Sequence, residues 1–149
     1  MWTMKKRISF ILRILILTAI PVAMVSCNNE DDIKAIFIDQ TWYITYVKDG
    51  DTMRYPKQGK IYSIDFKDNG IFEARTPGGA AISGNWNADG SNGKHTFGCS
   101  NIRTTGSFSG DTIAEKMYGI IRNAKKYSGD IHWLQIIQDN NAFMLLYNR

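Results

Sequence analysis

A chain of 149 residues, 44% hydrophobic and 21% charged, has the composition of one ordinary globular domain, which excludes a disordered chain and a bundle of membrane spans. The formal charge of +4 and a pI of about 9.1 suggest a basic protein, but Lys5, Lys6, Arg7 and Arg13 supply the whole excess. The remainder is balanced, so the electrostatic motive for binding nucleic acid disappears.

Residues 1–26 have the parts of a bacterial export signal: Lys5-Lys6-Arg7, an apolar run from Ile14 to Val25, and small Ser26 before Cys27. The run is shorter than the roughly 17–25 apolar residues that a span requires, and Arg13 blocks its extension. Met24-Val25-Ser26-Cys27 resembles a lipobox, the pattern cut by lipoprotein signal peptidase before lipid is attached to the cysteine. That resemblance implies a mature chain held in the outer membrane by acyl chains on Cys27. Residues 27–38 then read as lipidated cysteine and polar tether. Within them, Asn28-Asn29-Glu30-Asp31-Asp32 is similar to the acidic export signal of surface-exposed lipoproteins, and surface and periplasmic orientations both stay open. With Cys27 acylated, Cys99 has no partner for an intramolecular disulfide and reads as a small buried hydrophobe.

Residues 39–149 read as one domain, mostly of strands. Trp42, Ile44 and Tyr46 alternate with Tyr43, Thr45 and Val47, and Tyr62, Ile64 and Phe66 with Ser63 and Asp65. Asp68-Asn69-Gly70 supplies a hairpin turn to a strand over 71–75. Ile82, Gly84 and Trp86 mark another strand, followed by turns at Asp89-Gly90 and Asn92-Gly93 and weaker strands near 96–97 and 102–104. Thr112 and Glu115 have capping-box spacing, and Ile113, Met117, Ile120, Ile121 and Ala124 form one helical stripe. Lys125 and Lys126 suit the end of that helix, and Gly119 within it points to close packing on a strand. Runs at 131–137 and 142–147 form a closing hairpin, apolar on both faces and therefore central. The expected fold is α+β: a curved, mainly antiparallel, partly barrel-like sheet packed on one helix near residues 112–126.

Several residues in that order look familiar: Thr41-Trp42-Tyr43-Ile44 on a first strand, a Gly-rich hairpin from Phe72 to Trp86, Thr104-Thr105 before the helix, Tyr127 and Leu134 after it, and Phe143 to Arg149 at the end. In this order the chain resembles the META domain family (HslJ-like), from about Trp42 to Arg149. The resemblance implies a fold rather than a reaction. Where many family members have Gly-Cys-Asn this chain has Gly84-Asn85-Trp86, and Cys99 inherits no redox role.

Chemistry is sparse. His95 and His132 lack the spacing of a zinc site, so no metal and no cofactor is expected. His95 and Cys99 lack an orienting acid or oxyanion hole. Gly90-Ser91-Asn92-Gly93-Lys94 fails as a phosphate loop because His95 stands where Ser or Thr is needed, and Asn87 to Ser91 lacks the closing acid of a calcium loop. Trp42, Tyr43, Tyr46, Tyr62, Trp86 and Trp133 are either core or the lining of a concave binding face. The functional expectation is a non-enzymatic cell-envelope lipoprotein with a binding or envelope-stabilising role. Its partners would be the membrane, through Cys27, and an unidentified protein or apolar small molecule. The alternative is an envelope hydrolase using sheet carboxylates such as Asp65 or Glu73.

Overall fold

The computed structural model describes residues 29–149; Cys27 and the expected export signal lie outside the described residues. The alternating runs form nine strands: β1 (Thr41–Asp49), β2 (Thr52–Arg54), β3 (Ser63–Phe66), β4 (Ile71–Arg75), β5 (Ala81–Asp89), β6 (Thr96–Thr105), β7 (Lys126–Gly129), β8 (Trp133–Asp139) and β9 (Ala142–Asn148). They make one sheet in the order β2-β1-β3-β4-β5-β6-β7-β8-β9. Every strand pairing is antiparallel, and β1 also pairs with β9, so the sheet curls into a ring. Closure turns one face of every strand except β2 inward. Trp42, Ile64, Phe72, Ile82, Leu134 and Met144 are buried there, each contributing about 1.5–3 kcal/mol of hydrophobic stabilisation. The fold is α+β.

Strict alternation fails at one place in β1. The register shifts between Ile44 and Tyr46, so Trp42, Ile44 and Val47 point inward and Tyr46 is left outside. A bulge of this kind adds one residue and flips every later side chain to the other face. The closing hairpin is central, as β8 lies between β7 and β9, but it is not buried on both faces. Leu134 and Ile136 are in the core, Trp133 and Ile137 are half-buried on the outer face, and Ile131 precedes the strand and is exposed.

Helix α2 (Thr112–Asn123) carries the stripe expected of it: Ile113, Met117, Ile120 and Ile121 are buried, and the helix packs on β6, β8, β1 and β9. Its cap differs. Asp111, not Thr112, is the N-cap, and its carboxylate accepts a hydrogen bond from the Ala114 amide at 3.0 Å. Its end differs as well. Ala124 leaves helical geometry at φ −58°, ψ 138°, because Lys125 is stitched between strands, its amide donating to Ile137 and its carbonyl accepting from Phe97. Sheet pairing thus wins over the helix-dipole preference of Lys125 and Lys126. Gly129 then turns β7 into β8 at φ +150°, where a Cβ would collide with the Trp133 carbonyl.

Gly119 does not mark a close approach, because an added Cβ would meet nothing within 4 Å. Gly119→Ala should therefore raise stability by about 0.5–1 kcal/mol, since alanine removes the backbone entropy cost of glycine in a helix. Urea unfolding of the two proteins measures it. A loss of stability would contradict the open environment.

The largest departure from the sequence reading lies in the stretch read as tether. Residues Asn29–Phe37 form helix α1, so the folded unit begins before residue 39. Ile33, Ile36 and Phe37 stand at i, i+3 and i+4, which places them on one face. Phe37 is fully buried among Phe66, Trp86, Phe97 and Tyr127, with ring centroids at 5.1, 5.0, 5.6 and 5.1 Å. Beyond it, Ile38 makes a parallel bridge to Phe66. Lys34 pairs with Asp68 at 3.7 Å, and Ile33 reaches Gly90, so α1 lies between the β3–β4 and β5–β6 turns. That is the end of the ring where β1 starts. At the other end, where β1 stops, Lys116 of α2 pairs with Asp49. Each helix covers one end.

Candidate functional site

A cavity of about 610 Å³ opens beside β2, at the end of the ring away from α1. Sheet connectivity makes it. β2 and β3 both pair with the same edge of β1, so the far edge of β2 faces the position that β4 would occupy. β4 stops at Arg75, and the gap is bordered instead by Pro77 and Gly78 of the β4–β5 turn and by residues 109–113 leading into α2. A volume of this order is typical of ligand sites, about 300–1,000 Å³.

The rim is cationic. Arg54, Lys57 and Lys60 line it, all three are exposed, and none pairs with a carboxylate among the described residues. The turn at 57–60, closed by a 2.9 Å bond from the Lys60 amide to the Lys57 carbonyl, presents both lysines. It depends on Gly59 at φ +78°, a conformation that strains any side chain. Met53 and Tyr55 are 43% and 59% exposed beside the cations. The Tyr55 ring lies against Tyr46, with centroids 5.6 Å apart, and Tyr46 in turn lies against Phe143 at 6.0 Å.

The floor holds a polar pair. The Tyr62 hydroxyl donates to the Asp111 carboxylate, with its oxygens at 2.8 and 2.9 Å. One side chain thus caps α2 and ties it to the start of β3. Burial, and then the Asp111 carboxylate, push the Tyr62 phenol up to about 12 from its ordinary 10.0. The unfolded chain therefore loses this proton from about pH 10 while the native state keeps it. The stabilisation is complete below pH 10 and is lost as pH rises toward 12. Tyr62→Phe should cost about 1–2 kcal/mol at pH 7, through the lost hydrogen bond to a charged group, and should flatten the decline above pH 10. Urea midpoints from pH 7 to 11 test this, and an unchanged alkaline slope in the variant would contradict the assignment.

The residues singled out from sequence do not converge. Asp65 and Glu73 are cross-strand neighbours on the outer face, but both bind Arg75, at 3.0 and 2.8 Å. Asp65 also accepts from the Thr41 hydroxyl at 2.6 Å, and Lys67 lies 3.8 Å from Glu73. They form a charged ladder away from the groove. Cys99 is half-buried opposite Trp86, and burial pushes its thiol up to about 12, so at neutral pH it is a protonated thiol. His95 turns the chain at φ +46° and stacks obliquely on Tyr127 at 5.2 Å. It borders a smaller cleft of about 340 Å³ beside α1.

Asp89, in the stretch weighed as a calcium loop, accepts from the Ser91 amide at 2.8 Å in a local turn. His132 precedes β8, and its amide donates to Asp130 at 2.7 Å. Among the described residues, no group of three His, Cys, Asp or Glu side chains is placed to hold a metal, and no helix is long and apolar enough to cross a membrane. The six aromatics divide between faces. Trp42 and Tyr62 are core, Trp86 is half-buried with its indole donating to Lys67 at 3.1 Å, and Tyr43 stacks under Arg149 at 5.0 Å.

Sequence reading missed Arg54, Lys57, Lys60 and Tyr55. Pro56 and Gly59 mark a turn there, and three cations within seven residues without an intervening acid were the available signal.

Comparison with known proteins replaces the META resemblance. The profile of a family described as "Domain of unknown function (DUF4847)" matches residues 28–149. The crystal structure of a DUF4847 family protein from Bacteroides vulgatus superimposes with a TM-score of 0.60 at 20% identity, covering 77% of this chain and 96% of that one. A search of curated proteins gives no match. The expected META membership is therefore corrected. Its supporting features, an early Trp, a Gly-rich hairpin and an apolar closing strand, are what a small ring of antiparallel strands requires of many sequences.

Proposed function

The chain belongs to the DUF4847 family, and we propose that it is a non-enzymatic, lipid-anchored binding protein of the outer membrane that presents the β2 groove away from the bilayer. The observation carrying this reading is the position of Cys27, which ends an apolar run and precedes the first residue of α1 by only two positions. Acyl chains on Cys27 would hold the α1 end of the ring against the membrane. The groove lies at the other end, beside β2 and the start of α2. Each buried methylene contributes about 0.8 kcal/mol, and stable anchoring needs more than one chain, a condition met by a diacylated or triacylated cysteine.

Cys27→Ala tests the anchor. The variant should lose incorporation of labelled palmitate, and its uncut precursor or released form should replace the membrane-bound mature protein. Its folded domain should keep the wild-type melting temperature, since Cys27 precedes the folded unit. Wild-type protein that takes up no palmitate, or a variant that fractionates and labels as the wild type does, would contradict the reading.

A further inference from the structure

We propose that the groove beside β2 takes an acidic, extended peptide segment of a partner protein, which adds to the open edge of β2 as one more strand. The proposal rests on reading the chain as a binding protein and names the partner's chemistry. Ring closure pairs most strand edges, but β2 stands last in the sheet order and, among the described residues, pairs only with β1. Its three residues are all exposed, and two of them, Met53 and Arg54, border the groove opposite Pro77 and Gly78 of the β4–β5 turn. An unpaired edge offers backbone donors and acceptors that another strand satisfies, and strand addition is a recurring mode of peptide recognition.

Charge selects the kind of strand. Arg54, Lys57 and Lys60 stand at the rim without carboxylate partners among the described residues, while the one carboxylate lining the groove, Asp111 on its floor, is engaged by Tyr62 and Ala114. A segment rich in Asp or Glu is complementary, and Met53 and Tyr55 supply apolar contact beside it. Among the described residues β6 also has an unpaired edge beyond Thr96, but α2 packs on this strand, and Asn101 at φ +51° beside a register shift breaks its line. Such a bulge blunts an edge as a template. The α1 end holds the membrane-proximal face in this reading, so lipid headgroups of the same bilayer cannot reach the groove.

The test uses the full chain in detergent and fluorescence anisotropy of labelled hexapeptides. The probes are alternating Glu-Val, the same peptide N-methylated at alternate amides, and alternating Lys-Val; oligogalacturonate serves as a competitor with carboxylates but no peptide backbone. The Glu-Val peptide should bind with a Kd below about 1 mM, and the Lys-Val peptide at least ten-fold more weakly. N-methylation should cost ten-fold or more, because strand addition needs the amide hydrogens. Lys57→Glu with Lys60→Glu, both on the exposed turn, should also weaken Glu-Val binding ten-fold or more while leaving the melting temperature unchanged. No binding of the Glu-Val peptide at 1 mM, or equal binding of the N-methylated peptide, overturns the proposal. So does competition by oligogalacturonate at equal carboxylate concentration, or an unaffected double variant. These outcomes are independent of acylation at Cys27, so this proposal and the anchor fail separately.

Discussion

Phe37→Ala should destabilise the protein by about 3–5 kcal/mol, the usual cost of emptying a phenylalanine site in a packed core. The ring is fully buried and holds four other aromatic residues at centroid distances of 5.0–5.6 Å, each pair contributing about 0.5–1.5 kcal/mol beyond its buried area. A helix of nine residues is marginal alone in water, so α1 depends on this contact and on its neighbours Ile33 and Ile36. The variant should show a lower urea midpoint, and amide exchange over residues 29–37 should become fast. A loss below about 1 kcal/mol would mean that the stretch is a tether after all.

Ile120→Asp should have an effect at least as large. The side chain is 3% exposed on a helix held against four strands, within a cluster of buried apolar side chains. Burying an unpaired charge, or protonating it, adds to the lost packing, and the expected cost is about 4 kcal/mol or more. Arg122 lies on the exposed side of the same helix, and Arg122→Ala should stay within about 0.5 kcal/mol. Thermal melts of the two variants make the comparison internal to one helix. Equal, small effects would show that α2 is not docked by its Ile113–Met117–Ile120 stripe.

How far these features were legible in the sequence depends on whether the signal was local. The α2 stripe spans three turns and survives any choice of boundary, whereas its cap moved by one residue because Asp111 answers to Tyr62 as well as to the helix. Strands with clear alternation were visible. β2 and β7 were not, because three and four residues give periodicity too little length, and their pairing is decided by β1 and β8. The weak strands expected near 96–97 and 102–104 are one strand, β6, continuous through the bulge at Asn101. α1 was hidden by its acidic start, which resembles a solvated linker, although Ile33, Ile36 and Phe37 already had helical spacing. The groove was the least legible part. Its cations are ordinary surface residues until ring closure leaves β2 beside a strand that stops short.

In the proposed arrangement, acyl chains on Cys27 hold the α1 end of the ring at the membrane and turn the β2 groove outward. Intact mass measurement of the native protein, extracted from the membrane fraction, tests it most directly. The mature chain should begin at Cys27 and carry the added mass of two or three acyl chains, all on the N-terminal residue. An unmodified Cys27, or a mature chain starting elsewhere, would contradict it.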